Sequence, residues 1–255
     1  MLWYKSWLET RWRFLIGMAL LVCSAAALVL TQPQVMKLMP LARTTDLSGT
    51  LGREIRKSVE LALEYRGYIW SQWFGKNALQ MATLFAVLLG TGGMLSQQSG
   101  GGVLFTLSMP ASRRRLLGVR TAAGLAEFLA LAFLPSLLIP LLSPAIGQTY
   151  HVGAALIHSA CLFAGGAVFF SLASLLSTVF FDLWRPLLIT LVIAVMLALA
   201  PQIFGSLEPY SVFRMMSGET YFRTGALPWL GLLSSVAVSA GLLYASAVNI
   251  DRRDF

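Results

Sequence analysis

Residues 14–30 read FLIGMALLVCSAAALVL, a run with no charged side chain. A helix rises 1.5 Å per residue and the hydrocarbon core of a bilayer is about 30 Å thick, so about 20 mostly apolar residues cross it. The run is therefore a first transmembrane helix, and Gln32-Pro33 is expected to end it, because the residue before proline is pushed out of the helical region. The flank ahead of it, MLWYKSWLETRW, sets Trp3, Tyr4, Trp7, Leu8 and Trp12 beside Lys5 and Arg11. That mixture predicts a short helix lying among the lipid headgroups. A cleaved signal peptide shares the basic start, the apolar core and Ala25-Ala26-Ala27, but an aromatic flank and an apolar run of this length favour a retained span.

The same reading extends along the chain. Of the 255 residues 57% are hydrophobic and only 12% charged, with a mean hydropathy of +0.72; charged residues alone approach a quarter of a soluble domain. Five more spans are predicted, at about Asn77–Ser96, Leu117–Leu142, Val152–Phe180, Pro186–Ala200 and Leu227–Ile250. The expected architecture is a single all-α integral membrane domain over 1–255, with six transmembrane helices, an N-terminal interfacial helix and a long outer loop between helices 1 and 2. Within that loop Arg53–Tyr65 has an amphipathic pattern, with Ile55, Val59 and Leu63 at i+4 spacing. Tyr65, Tyr68, Trp70, Trp73 and Phe74 follow it and predict an interfacial aromatic belt.

The net charge of +8 does not point to nucleic acid, because the basic residues sit at the ends of apolar runs and not in a stripe with interleaved aromatics. They orient the chain instead. With the N-terminus inside, Lys5, Arg11, Arg13, Arg113, Arg114, Arg115, Arg120, Arg185, Arg252 and Arg253 fall on the cytoplasmic side, and only Arg214 and Arg223 fall in the short outer loops. Lysine and arginine in short loops govern orientation, so both termini are expected in the cytoplasm, although the long 31–76 segment carries seven further basic residues. Cys23 and Cys161 both lie in apolar stretches and define no disulfide framework.

Between the second and third spans lies SGGGVLFTLSMPASRRRLL, residues 99–117. Val103 to Met109 is too apolar for a solvated loop and too short to cross a bilayer, and three glycines and a proline bracket it. A short amphipathic element at the inner surface is expected, with Arg113, Arg114 and Arg115 among the headgroups.

These residues resemble a segment of ABC-2 type transporter permeases, of the form G-T-L-x-x-L-L-S-L-P-x-S-R-R-R. Gly101, Val103, Phe105, Leu107, Ser108, Pro110, Ser112 and Arg113, Arg114 and Arg115 match its glycine, its apolar spacing and its ending. Trp73-Phe74-Gly75-Lys76-Asn77 and the closing Arg252-Arg253-Asp254-Phe255 also look like that family. The resemblance implies that Gly101–Arg115 is a cytoplasmic coupling helix docking on separate ABC ATPase subunits, which hold ATP and magnesium. It also implies a second permease copy or a paralogue beside this one, and export from the cytoplasmic membrane. The chain departs from the pattern at Ser96-Gln97-Gln98-Ser99, which has no carboxylate where the family has acidic residues, and at Gly102, where a threonine is usual. A different docking chemistry, or the weaker half of a heterodimer, is implied.

No G-x-x-x-x-G-K-[ST] occurs, so no nucleotide or other cofactor is expected in this chain, nor a catalytic site of its own. H-E-x-x-H and G-x-S-x-G are also absent. Two polar residues inside spans remain as pathway candidates. Glu127 stands about ten residues into the third span, near the expected midplane, where a carboxyl is costly and either functional or held between helices. His158 stands seven residues into the fourth, where a histidine more often joins helices than relays protons or binds metal. An ion-coupled secondary transporter using Glu127 and His158, and a non-transporting membrane scaffold, are the alternatives to the ATP-driven reading.

Overall fold

The computed structural model describes residues 2–43, 61, 63–92, 112–180, 182–205 and 210–251, the side chains of 38–43 and of Arg113 excepted. These residues form helices and no strand. Helix α1 spans Leu2–Arg43. Helix α2, Tyr65–Ile69, runs through a π-helical stretch, Trp70–Asn77, into α3, Ala78–Gly90. Then follow α4 (Arg113–Leu142), α5 (Val152–Val179), α6 (Trp184–Ile203), the short α7 (Val212–Met216) and α8 (Glu219–Thr224), and α9 (Trp229–Asp251).

Helix α5 is the hub. It packs on α3, α4 and α9, while α1 lies along α4. Small residues allow this closeness: a Cβ at Gly166 of α5 would stand 2.2 Å from the tip of the Phe128 ring, and one at Gly90 of α3 would stand 2.4 Å from the Phe170 carbonyl oxygen. Small residues of this kind let helices approach where no hydrophobic gain separates protein from lipid. Helices α6 and α9 turn their apolar faces outward instead, with Leu188, Val192, Met196, Leu230, Leu233 and Val236 all exposed. Five helices among the described residues are long and apolar enough to cross a membrane.

Several expected boundaries move. Gln32-Pro33 does not end the first helix: α1 is continuous over 42 residues, about 63 Å, the N-terminal flank leading straight into the span. A proline inside a helix leaves one carbonyl unpaired, here at Val29, and the Tyr68 hydroxyl reaches the neighbouring Leu28 carbonyl at 3.4 Å. The fifth span does not stop before Pro201 but includes it in a 20-residue helix. The aromatic belt faces the bundle. Tyr65, Tyr68, Trp73 and Phe74 are buried in the core, because the helix starts at Tyr65 and its turns aim them at the other helices. The second span accordingly begins twelve residues earlier than its apolar run, and its α-helix closes at Gly90. Arg53–Glu60, Ala62 and residues 93–111 lie outside the described residues, so the amphipathic 53–65 helix and the coupling helix are among the expectations not described.

Candidate functional site

Among the described residues, two polar clusters hold the sequence-predicted Glu127 and His158. The first is the C-terminal end of α3. Gly90 packs beside Phe170 and Ala173, well before α5 ends, so this helix terminus is buried within the bundle; Thr91 is 0% exposed. The last carbonyls of a helix lack intrahelical donors and carry partial negative charge, and a cation there answers both needs. Arg13 Nη1 donates to the Leu88 carbonyl at 2.7 Å and the Thr91 carbonyl at 3.0 Å. Arg120 Nη2 donates to the Thr91 carbonyl at 3.4 Å, and its Nη1 pairs with Glu9 Oε2 at 3.0 Å. Gly92, at φ +94°, turns the chain away so closely that a Cβ would stand 2.9 Å from the Arg120 guanidinium; that φ suits glycine.

Glu127 belongs to this cluster. It is 6% exposed, and the next residue, Phe128, packs on Gly166, midway along α5. Its Oε1 lies 2.5 Å from Thr10 Oγ1, so the carboxyl faces the seam between α1 and α4. Glu9 and Arg13 stand one turn apart on α1, Arg120 and Glu127 two turns apart on α4, so each pair shares a helix face.

The second gathering lies toward the other end of α5. His158 is 1% exposed and bonds through Nδ1 to the Ser217 carbonyl at 3.0 Å. Phe74 stacks on its ring at 4.6 Å and Tyr221 meets it edge-on at 5.4 Å. Trp70 Nε1 donates to the same Ser217 carbonyl at 3.0 Å while its ring stacks on Phe222 at 4.4 Å. His158 thus fastens the α7–α8 segment to the helices beneath it. Nearby Tyr150 packs edge-on against Tyr65, and burial pushes its phenol above the ordinary value. Glu127 and His158 are not brought together.

A cavity of about 680 Å³ opens between α7 and the start of α9, lined by Tyr210, Ser211, Arg214, Trp229 and Ser234 among others; Arg214 pairs there with Glu219 at 2.9 Å. Among the described residues no group of histidine, cysteine and carboxylate side chains could hold a metal ion.

Of the expected coupling residues, Gly101, Val103, Phe105, Leu107, Ser108 and Pro110 lie outside the described residues. Ser112 caps α4 by accepting from the Arg115 amide, Arg115 is exposed, and Arg114 pairs with Asp251 at the end of α9. Sequence reasoning singled out Glu127 and His158 but read Arg13 and Arg120 only as orientation signals and Trp70 only as part of an aromatic belt, and passed over Glu9, Thr10 and Ser217. The i,i+4 spacing of Glu9 and Arg13 and the seven-residue spacing of Arg120 and Glu127 were the available signal for the first cluster. Comparison with family models, with curated proteins and with solved structures yields no match.

Proposed function

We propose that the chain is the membrane permease subunit of an ABC-2 type transporter, most simply an exporter, driven by ATP hydrolysed on separate cytoplasmic subunits. The observation that carries this reading is the stretch Gly101–Arg115, with its S-x-P-x-S-R-R-R ending. An all-helical chain with long apolar helices supports it. The position of the stretch also supports it: it joins α3 to α4, whose facing parts share the Arg13 and Arg120 contacts, so a force applied to it acts on α1, α3 and α4 together. The partners are two ATPase subunits carrying ATP and magnesium, a second permease copy or paralogue, and the surrounding lipid. The run Tyr65–Gly90 completes six crossings in this reading, with both termini in the cytoplasm.

Charging the apolar face with Phe105→Asp is expected to abolish co-purification of an ATPase while membrane insertion and α-helical content stay unchanged. Undiminished co-purification would overturn the docking role. The buried Glu127 favours the alternative of an ion-coupled secondary transporter, for which transport would follow a proton gradient with no ATPase bound.

A further inference from the structure

The hydrogen bonds around Glu127 say more than that it is buried. Two cations stand within electrostatic reach of it, Arg13 from α1 and Arg120 from α4. Neither donates a described hydrogen bond to it. Arg13 is spent on the carbonyls of Leu88 and Thr91, and Arg120 on Glu9 and Thr91. Glu127 Oε2 is buried with no partner among the described residues, an arrangement that costs an ionised carboxylate several times what it costs a neutral carbonyl oxygen.

The other oxygen points the same way. Thr10 Oγ1 stands 2.5 Å from Glu127 Oε1 and 3.1 Å from the Ser6 carbonyl. A hydroxyl carries one proton. If Glu127 is ionised, that proton goes to Oε1 and the Ser6 contact is no hydrogen bond. If Glu127 carries a proton on Oε1, it donates to Thr10 Oγ1, Thr10 donates onward to Ser6, and both contacts are bonds. Charge does not discriminate: Arg13 and Arg120 face Glu9 and the buried α3 terminus, worth about half a negative charge, so the cluster is near neutrality with Glu127 in either state.

We propose that Glu127 is a proton-binding site, occupied at neutral pH, with the row Glu127 Oε1–H to Thr10 Oγ1–H to the Ser6 carbonyl holding the proton between α1 and α4. This does not rest on the source of energy for transport. It has a structural consequence. Ionised Glu127 needs a donor at Oε2, and the nearest cationic donors are Arg13 and Arg120, which now hold the α3 terminus. Proton loss therefore competes with the cap on α3, and the proton keeps the arginines where they are.

Infrared spectroscopy of the full chain in lipid nanodiscs tests it. At neutral pH a neutral carboxylic-acid carbonyl band is expected. Carbon-13 labelling of glutamate should shift that band, and Glu127→Gln should remove it. Thr10→Val deletes the acceptor and should move the band to higher frequency. Absence of a neutral-acid band in the labelled wild-type chain would overturn the proposal without any variant having to fold. A band that survives Glu127→Gln, or that Thr10→Val leaves in place, would overturn it as well.

Discussion

Arg13 shows how much one side chain carries in a bundle of this kind. Its guanidinium bonds two carbonyls at a helix end that water does not reach, and hydrogen bonds to a charged group contribute about 1.5–3 kcal/mol each when the partner would otherwise be stranded. The Leu88 carbonyl keeps Thr91 Oγ1 at 3.0 Å and the Thr91 carbonyl keeps Arg120 at 3.4 Å, so removal leaves them weakly held and not bare. Arg13→Ala is therefore expected to cost about 3 kcal/mol, near one full interaction. Arg115, exposed at the start of α4, is the control: Arg115→Ala should stay within about 0.5 kcal/mol. Unfolding in mixed micelles measures both, and equal costs would contradict the capping role.

Among the elements, the one least legible beforehand is the α7–α8 segment. Neither helix has an apolar period long enough to register, and what fixes them is a contact distant in sequence, His158 to the Ser217 carbonyl. Gly218 is the tightest point: it holds φ +66°, a region that costs other L-residues about 1–2 kcal/mol, and a Cβ there would stand 2.5 Å from His158 Nδ1. Gly218→Ala should thus loosen residues 212–224 selectively, seen as faster amide hydrogen exchange there with α5 unchanged. Unaltered exchange over those residues would show that the turn bears no such load. The long helices contrast with this. Val152–Phe180 was readable to within a residue of α5, because no Asp, Glu, Lys or Arg interrupts it and His151 and Asp182 stand just beyond its ends. Helix α1 was not, because a proline signals a break through local geometry, while the packing that carries α1 past Pro33 is tertiary. Glu127 and His158 stood out as polar groups in apolar runs, whereas Arg13 and Arg120 did not, because arginines near helix ends are the ordinary anchors of a span.

Across the whole molecule, the number of crossings turns on the run Tyr65–Gly90. By apolar length it falls short, since Trp70–Asn77 includes Ser71, Gln72, Lys76 and Asn77. A helix surrounded by other helices has less need of an apolar surface, because lipid touches little of it. The contacts of this run place it beside α4 from end to end: the Tyr65 hydroxyl meets Ser143 Oγ at 2.7 Å, Trp73 Nε1 meets Ser136 Oγ at 3.1 Å, and the Thr91 carbonyl meets Arg120. Helix α4 covers about 35 Å between Arg120 and Ser143, more than a hydrocarbon core. The run traverses the same thickness in the opposite direction, so it should count as a crossing, and the start of α1 should share a side with the start of α4. In a background of Cys23→Ser and Cys161→Ala, Tyr4→Cys and Arg115→Cys are expected to react with a membrane-impermeant thiol reagent from one side. Thr149→Cys and Ala226→Cys are expected to react from the other. In the proposed reading, the excess of arginine near Tyr4 and Arg115 makes that first side the cytoplasmic one. Labelling of Tyr4→Cys and Arg115→Cys from opposite sides would mean that Tyr65–Gly90 does not cross, and that the chain has five spans with its termini apart.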